Sequence, residues 1–176
     1  MTARVLVAGI GNIFFGDDGF GSEAARRLAG HQLPDGVSVV DYGIRGMHLA
    51  YDLLDGYDAL IIVDAMPGNG EPGDLRVLEV GPEDLGSGEL DAHGMEPTAV
   101  LSSLDKLGGS LPLTYVVGCQ PADIDEGMGL SPPVAEAVDR AIAAVFELFE
   151  QQLRDILTPP AEHVRVSAVA HEGEQD

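Results

Sequence analysis

The chain has 176 residues, 45% of them hydrophobic and 5% aromatic, which is enough for one domain with an aliphatic core. Its 30 acidic and 9 basic residues give a formal net charge of −21. Such a surface repels phosphate backbones and anionic lipids, so we expect neither nucleic acid nor a membrane as a partner. The single cysteine, Cys119, excludes an internal disulfide, and no signal-peptide pattern is recognised, so we expect a cytoplasmic protein.

Apolar runs along the chain predict strands that alternate with helices. Strands are expected at 5–8, 37–40, 59–63, 75–80 and 113–118, the fourth of them at a sheet edge where it can run antiparallel. Helices are expected at 22–29 with Ser22 as cap, then at 47–54, 97–107 and 132–157. This order predicts an α/β fold in three layers, with a mostly parallel twisted sheet of about five strands between helices.

The domain organisation follows from the same pattern. We expect one α/β domain over residues 1–157, followed by an acidic, flexible tail over residues 158–176. We also expect a monomer.

Acidic residues follow three of the predicted strands. Asp17 and Asp18 come after the first strand, Asp41 after the second and Asp64 after the third. In a doubly wound sheet, ligands bind beyond the carboxyl ends of the strands. The sequence therefore predicts an acidic site at this edge, although aspartates at a helix start are in general often only caps.

The glycine-rich loop after the first strand resembles a dinucleotide fingerprint only in part. The fingerprint needs a third small residue where Phe14 stands, and the acidic pair Asp17 and Asp18 would repel a pyrophosphate. We interpret the loop as a rigid carrier of this pair instead. Its glycines allow a sharp turn, and Asn12 can hydrogen-bond the loop backbone.

Two aspartates and one histidine form a candidate metal site. Asp18, Asp64 and His93 would supply two carboxylates and one imidazole, which suits a borderline divalent ion such as nickel, zinc or iron. Three protein ligands leave open positions on the ion. On its own, a histidine in an acidic loop is usually a solvated residue, and Cys119 at a strand end is expected to be a buried, inert thiol. No motif of a serine hydrolase or zinc peptidase is recognised, so any hydrolysis must depend on metal and carboxylates.

Several stretches resemble the hydrogenase maturation proteases. The most specific is the glycine loop at 9–21, read as GIGNIFFGDDGFG, followed by DYGIRG at 41–46 and IVDA at 62–65. Shorter matches follow in the expected order at 91–93, 117–121 and 129–132, and the resemblance covers about residues 4 to 155.

This resemblance implies an endopeptidase, aspartic-type or metal-dependent, that acts in the maturation of a nickel–iron hydrogenase. It would remove a short C-terminal extension from the large-subunit precursor after nickel has been inserted. The metal-recognising positions map onto Asp18, Asp64 and His93, and nickel, the implied cofactor, would be carried by the substrate. The acid of the second motif maps onto Asp41, and either Asp17 or Asp41 would be the general base.

The sequence departs from the pattern of the family at two positions, and three alternative functions remain open. Some relatives carry Glu where this chain has Asp18, and Ile44 replaces a Thr that is common in the second motif. The first alternative is a non-catalytic chaperone that binds nickel or the precursor on the same fold. The others are a nucleotide-binding module and a peptidase with a different substrate.

Overall fold

The computed structural model describes residues 2–85 and 96–157. Its strands are β1 Val5–Ile10, β2 Val37–Gly43, β3 Ala59–Ala65, β4 Leu75–Val80 and β5 Leu113–Cys119. Its helices are α1 Phe20–Leu28, α2 Gly46–Leu53, α3 Glu96–Lys106, α4 Pro132–Glu150 and α5 Arg154–Leu157, with short 3-10 helices at Gly16–Gly19 and Pro82–Asp84.

The five strands form one sheet in the order β2-β1-β3-β5-β4. β2, β1, β3 and β5 run parallel to one another, and β4 pairs antiparallel with β5 at the edge of the sheet. The predicted fold class and the edge position of the fourth strand are therefore confirmed. From β1 the chain passes to β2 on one side and then to β3 on the other. The topological switch point consequently lies at the carboxyl ends of β1 and β3, where ligands bind in sheets of this kind.

Helices cover both faces of the sheet. Val5 and Val7 of β1 point into a core shared with α1 and α4, and Leu6 and Ala8 point into a second core shared with α2 and α3. All four side chains are fully buried. An apolar run without polar alternation therefore marks a strand that is covered on both sides.

Two glycines let α1 lie directly on the carboxyl ends of the central strands. A Cβ atom on Gly21 would overlap the carbonyl oxygens of Ile10 and Val63, and a Cβ atom on Gly9 would overlap the carbonyl oxygen of Gly21. This close approach fixes the start of α1, and with it the loop that precedes the helix, against β1 and β3.

Two predicted helix boundaries are wrong. The N-cap of α1 is Gly19, and Ser22 lies within the helix, where its hydroxyl bonds elsewhere. The predicted helix at 132–157 is interrupted, because the chain turns after Glu150 and buries Leu153 completely before α5 begins. Burial of one large apolar side chain outweighs continuation of the helix.

The predicted tail at 158–176 lies outside the described residues, so the predicted domain boundary stays a prediction. Within the described part of the chain, none of the helices is both long and apolar enough to cross a lipid bilayer.

Candidate active site

The loop after β1 folds against the end of β2. Gly11 turns the chain with a φ of 148°, and its N–H donates to the carbonyl oxygen of Gly43 at 3.0 Å. The Asn12 side chain accepts a hydrogen bond from the N–H of Phe14 at 3.0 Å, which confirms its predicted role in the loop. The 3-10 helix at Gly16–Gly19 then contacts β3. The acidic pair that it carries is thereby placed at the switch point.

Asp18 is half-buried in this 3-10 helix. Its Oδ2 atom accepts a hydrogen bond from the N–H of Asn12 at 3.0 Å, which fixes the carboxylate across the loop. One bond of this kind orients a carboxylate and leaves further lone pairs for another ligand.

Asp64 is the second carboxylate of the predicted metal site. It lies within β3, one residue before the strand ends, opposite Gly118 of β5, and is only 4% exposed. Asp64 and Asp18 thus reach the carboxyl edge of the sheet from the neighbouring strands β3 and β1.

His93, the third predicted ligand, lies outside the described residues. Within residues 2–85 and 96–157, no three His, Cys, Asp or Glu side chains are grouped so that they could hold a metal ion. The metal site that needs His93 therefore stays a prediction.

Asp17 is fully buried, unlike its neighbour Asp18. Its carboxylate accepts four hydrogen bonds: from the N–H groups of Ala122 at 2.8 Å and Asp123 at 3.1 Å, and from Ser131 through its N–H at 2.7 Å and its hydroxyl at 2.8 Å. Burial raises the pKa of Asp17, but these bonds outweigh burial and leave the pKa below its ordinary value. Asp17 thus ties the glycine loop to both ends of the segment 122–131.

Asp41 lies near the end of β2 and is exposed. Its Oδ1 atom accepts two hydrogen bonds, from the Ser22 hydroxyl at 2.7 Å and from the N–H of Gly43 at 3.0 Å. The Arg45 guanidinium donates to the carbonyl oxygen of Asp41 at 3.0 Å. Both the side chain and the backbone of Asp41 are therefore held in place.

Asp41 and Ser22 line an open cleft of about 460 Å³ beside the glycine loop. The other lining residues combine apolar side chains, three glycines and an ion-paired group on α1: Ile13, Met128, Leu130, Ala135, Gly16, Gly19, Gly129, Glu23, Arg26 and Arg27. A cleft that combines apolar side chains with polar and charged groups can bind an organic ligand or a peptide.

Cys119 faces the core and is fully buried. Burial raises the pKa of its thiol to about 11, so the thiol is protonated at neutral pH. This finding agrees with the prediction of an inert thiol.

Sequence reasoning missed Ser22 as a partner of Asp41. The two residues are 19 positions apart, and nothing in their spacing connects them. One signal was present: Ser22 is the one polar residue among the buried residues of α1, which otherwise include Phe20, Ala24, Ala25 and Leu28. A buried hydroxyl needs a partner, and the partner here is Asp41.

The chain matches the family model described as "Hydrogenase maturation protease" over residues 23–148. It is 36% identical over 153 residues to coenzyme F420 hydrogenase subunit delta of Methanothermobacter thermautotrophicus, covering 82% of this chain and 94% of that protein. It is 35% identical over 144 residues to the hydrogenase expression/formation protein HupD of Bradyrhizobium diazoefficiens, covering 79% of this chain and 74% of that protein.

Solved structures of hydrogenase maturation proteases are also similar to this chain. The hydrogenase maturating endopeptidase HybD from E. coli superposes with a TM-score of 0.73 at 29% identity, over 85% of this chain and 93% of that chain. The [NiFe] hydrogenase maturation protease HycI from Thermococcus kodakarensis superposes with a TM-score of 0.69 at 26% identity, over 84% of this chain and 93% of that chain. The chain therefore belongs to the hydrogenase maturation protease family.

Proposed function

We propose that this protein is the endopeptidase that removes the C-terminal extension of a nickel–iron hydrogenase large-subunit precursor after nickel insertion. One observation supports this most: Asp18, Asp41 and Asp64 reach one sheet edge from three strands, and Asp41 lines a cleft of about 460 Å³. The cleft offers room for a peptide segment, and carboxylates are suited both to bind a cation and to accept a proton.

In this proposal, Asp18 and Asp64 recognise the nickel ion that the precursor carries, with His93 as the third group. Carboxylates and an imidazole fill positions on an ion that the substrate itself holds. A precursor without nickel lacks this anchor, so its scissile peptide is not fixed in the cleft. Positioning of the peptide by the anchored ion supplies the orientation that catalysis needs.

We assign the general base to Asp41. Asp17, the other candidate, is fully buried and accepts four hydrogen bonds, so its carboxylate cannot approach a water molecule or a substrate without losing them. Asp41 is exposed and lines the cleft. It takes a proton from the attacking water, and the proton then passes to the amine released from the extension.

The direct test is to incubate the purified protein with a nickel-loaded precursor and to measure the precursor mass. The proposal predicts a loss equal to the mass of the C-terminal extension. A stable complex in which the precursor mass stays unchanged would instead identify a non-catalytic maturation chaperone.

A further inference from the structure

The hydroxyl of Ser22 donates its hydrogen bond to a residue outside its own helix. Ser22 is the third residue of α1 and is only 3% exposed. A serine within a helix commonly donates to a carbonyl oxygen of the preceding turn. Ser22 instead donates to the carboxylate of Asp41, on β2, at 2.7 Å.

This bond restricts the Asp41 carboxylate to one orientation. Oδ1 accepts from the Ser22 hydroxyl and from the N–H of Gly43, whose φ of 56° bends the chain back toward the side chain. Within the part of the chain that the structure describes, both hydrogen bonds of this carboxylate end on Oδ1. Oδ2 is therefore the oxygen that remains available to a water molecule in the cleft that Asp41 lines.

We propose that Ser22 is a positioning residue that holds Asp41 with Oδ2 free to accept the proton of the attacking water. This inference rests on the proposed role of Asp41 as general base. An exposed carboxylate on an edge strand otherwise samples several rotamers, and a general base acts only within hydrogen-bond reach of the proton it removes. Ser22 is not the nucleophile, because its hydroxyl is buried and donates its proton to Asp41.

The test compares Ser22→Ala with the wild-type protein on the nickel-loaded precursor. We expect kcat to fall about 10-fold, because Asp41 loses its orientation, while KM stays within about 2-fold. The melting temperature changes little, since alanine favours a helix and the exposed Asp41 gains water in place of the lost donor. Ser22→Thr, which keeps the hydroxyl, recovers most of the lost kcat.

Ser103→Ala is the matched control. Ser103 lies on α3, and its hydroxyl donates to the carbonyl oxygen of Val100 in the same helix at 2.6 Å, so we expect wild-type kcat and KM. Wild-type kcat in Ser22→Ala would overturn the inference, as would a loss that Ser22→Thr does not reduce. Neither result affects the proposed function, which fails separately if the wild-type protein does not shorten the precursor.

Discussion

Asp17 and Asp18 are neighbours in the sequence, but their carboxylates have different surroundings. Asp17 is fully buried and accepts four hydrogen bonds from residues more than 100 positions away. Asp18 is half-buried and accepts one from Asn12. The chain thus uses one aspartate to join two loops and leaves the next one able to bind a ligand.

Replacement of Asp17 tests the first of these roles. In Asp17→Asn, an amide nitrogen replaces an acceptor oxygen, and buried donors lose their partner. We expect the free energy of unfolding to fall by about 3 kcal/mol, measured by urea denaturation at neutral pH. Asp18→Asn is the matched control and should cost less than about 1 kcal/mol. Equal costs for the two variants would contradict the assignment.

Replacement of Asp18 tests the second role. Asp18→Ala removes a proposed nickel-recognising carboxylate, and so does Asp64→Ala. We expect each to slow cleavage of the nickel-loaded precursor at least about 100-fold, measured from the product mass over time. Asp105→Ala, which removes an exposed carboxylate on α3, controls for net charge and should cleave normally. Normal cleavage by Asp18→Ala and Asp64→Ala would reject the site.

Cys119 gives a prediction that needs no substrate. Burial raises the pKa of its thiol to about 11, so both access and thiolate content are low at pH 8. We expect no labelling of the native protein by iodoacetamide at pH 8 and complete labelling in urea. Rapid labelling under native conditions would show that the end of β5 opens.

At the scale of elements, all five strands were predictable from the sequence: β1, β3 and β5 are apolar on both faces, β4 alternates, and β2 has three valines among its first four residues. The ends of helices were less predictable. α4 stops at Glu150 because Leu153 is drawn into the core, and α1 begins at Phe20 rather than at Ser22. Both boundaries depend on tertiary contacts, which periodicity does not contain.

The close packing of α1 against the sheet determines where the site lies. In Gly21→Ala, the added methyl group overlaps the carbonyl oxygens of Ile10 and Val63, so α1 must move away from β1 and β3. We expect a loss of about 2 kcal/mol or more in the free energy of unfolding, measured by urea denaturation. Gly30→Ala, just beyond the same helix, meets no atom closer than 3.4 Å and serves as the control. If the two variants are equally stable, α1 does not lie as described.

At the scale of the whole molecule, residues that are far apart in the sequence form the site. That Asp18, Asp41 and Asp64 share one edge was predictable, because parallel strands end on the same side of a sheet. The contacts of Asp17 with residues 122–131 and of Ser22 with Asp41 were not predictable. They depend on how remote loops and helices meet, and no pattern along the chain records this. The part of His93 in the site stays a prediction.

The net charge of the molecule influences its association with a partner. With 30 acidic and 9 basic residues, the protein has a negative field that attracts cations. The acidic edge of the sheet lies within this field. A partner that presents positive charge is therefore attracted to the molecule.

The central claim is that the enzyme recognises the nickel ion carried by its substrate. The most direct measurement is the rate of cleavage of one precursor, prepared with and without nickel, under identical conditions, with product mass as the readout. We predict release of the C-terminal extension from the nickel-loaded precursor and no detectable release from the nickel-free one. Equal rates for the two preparations would contradict the account.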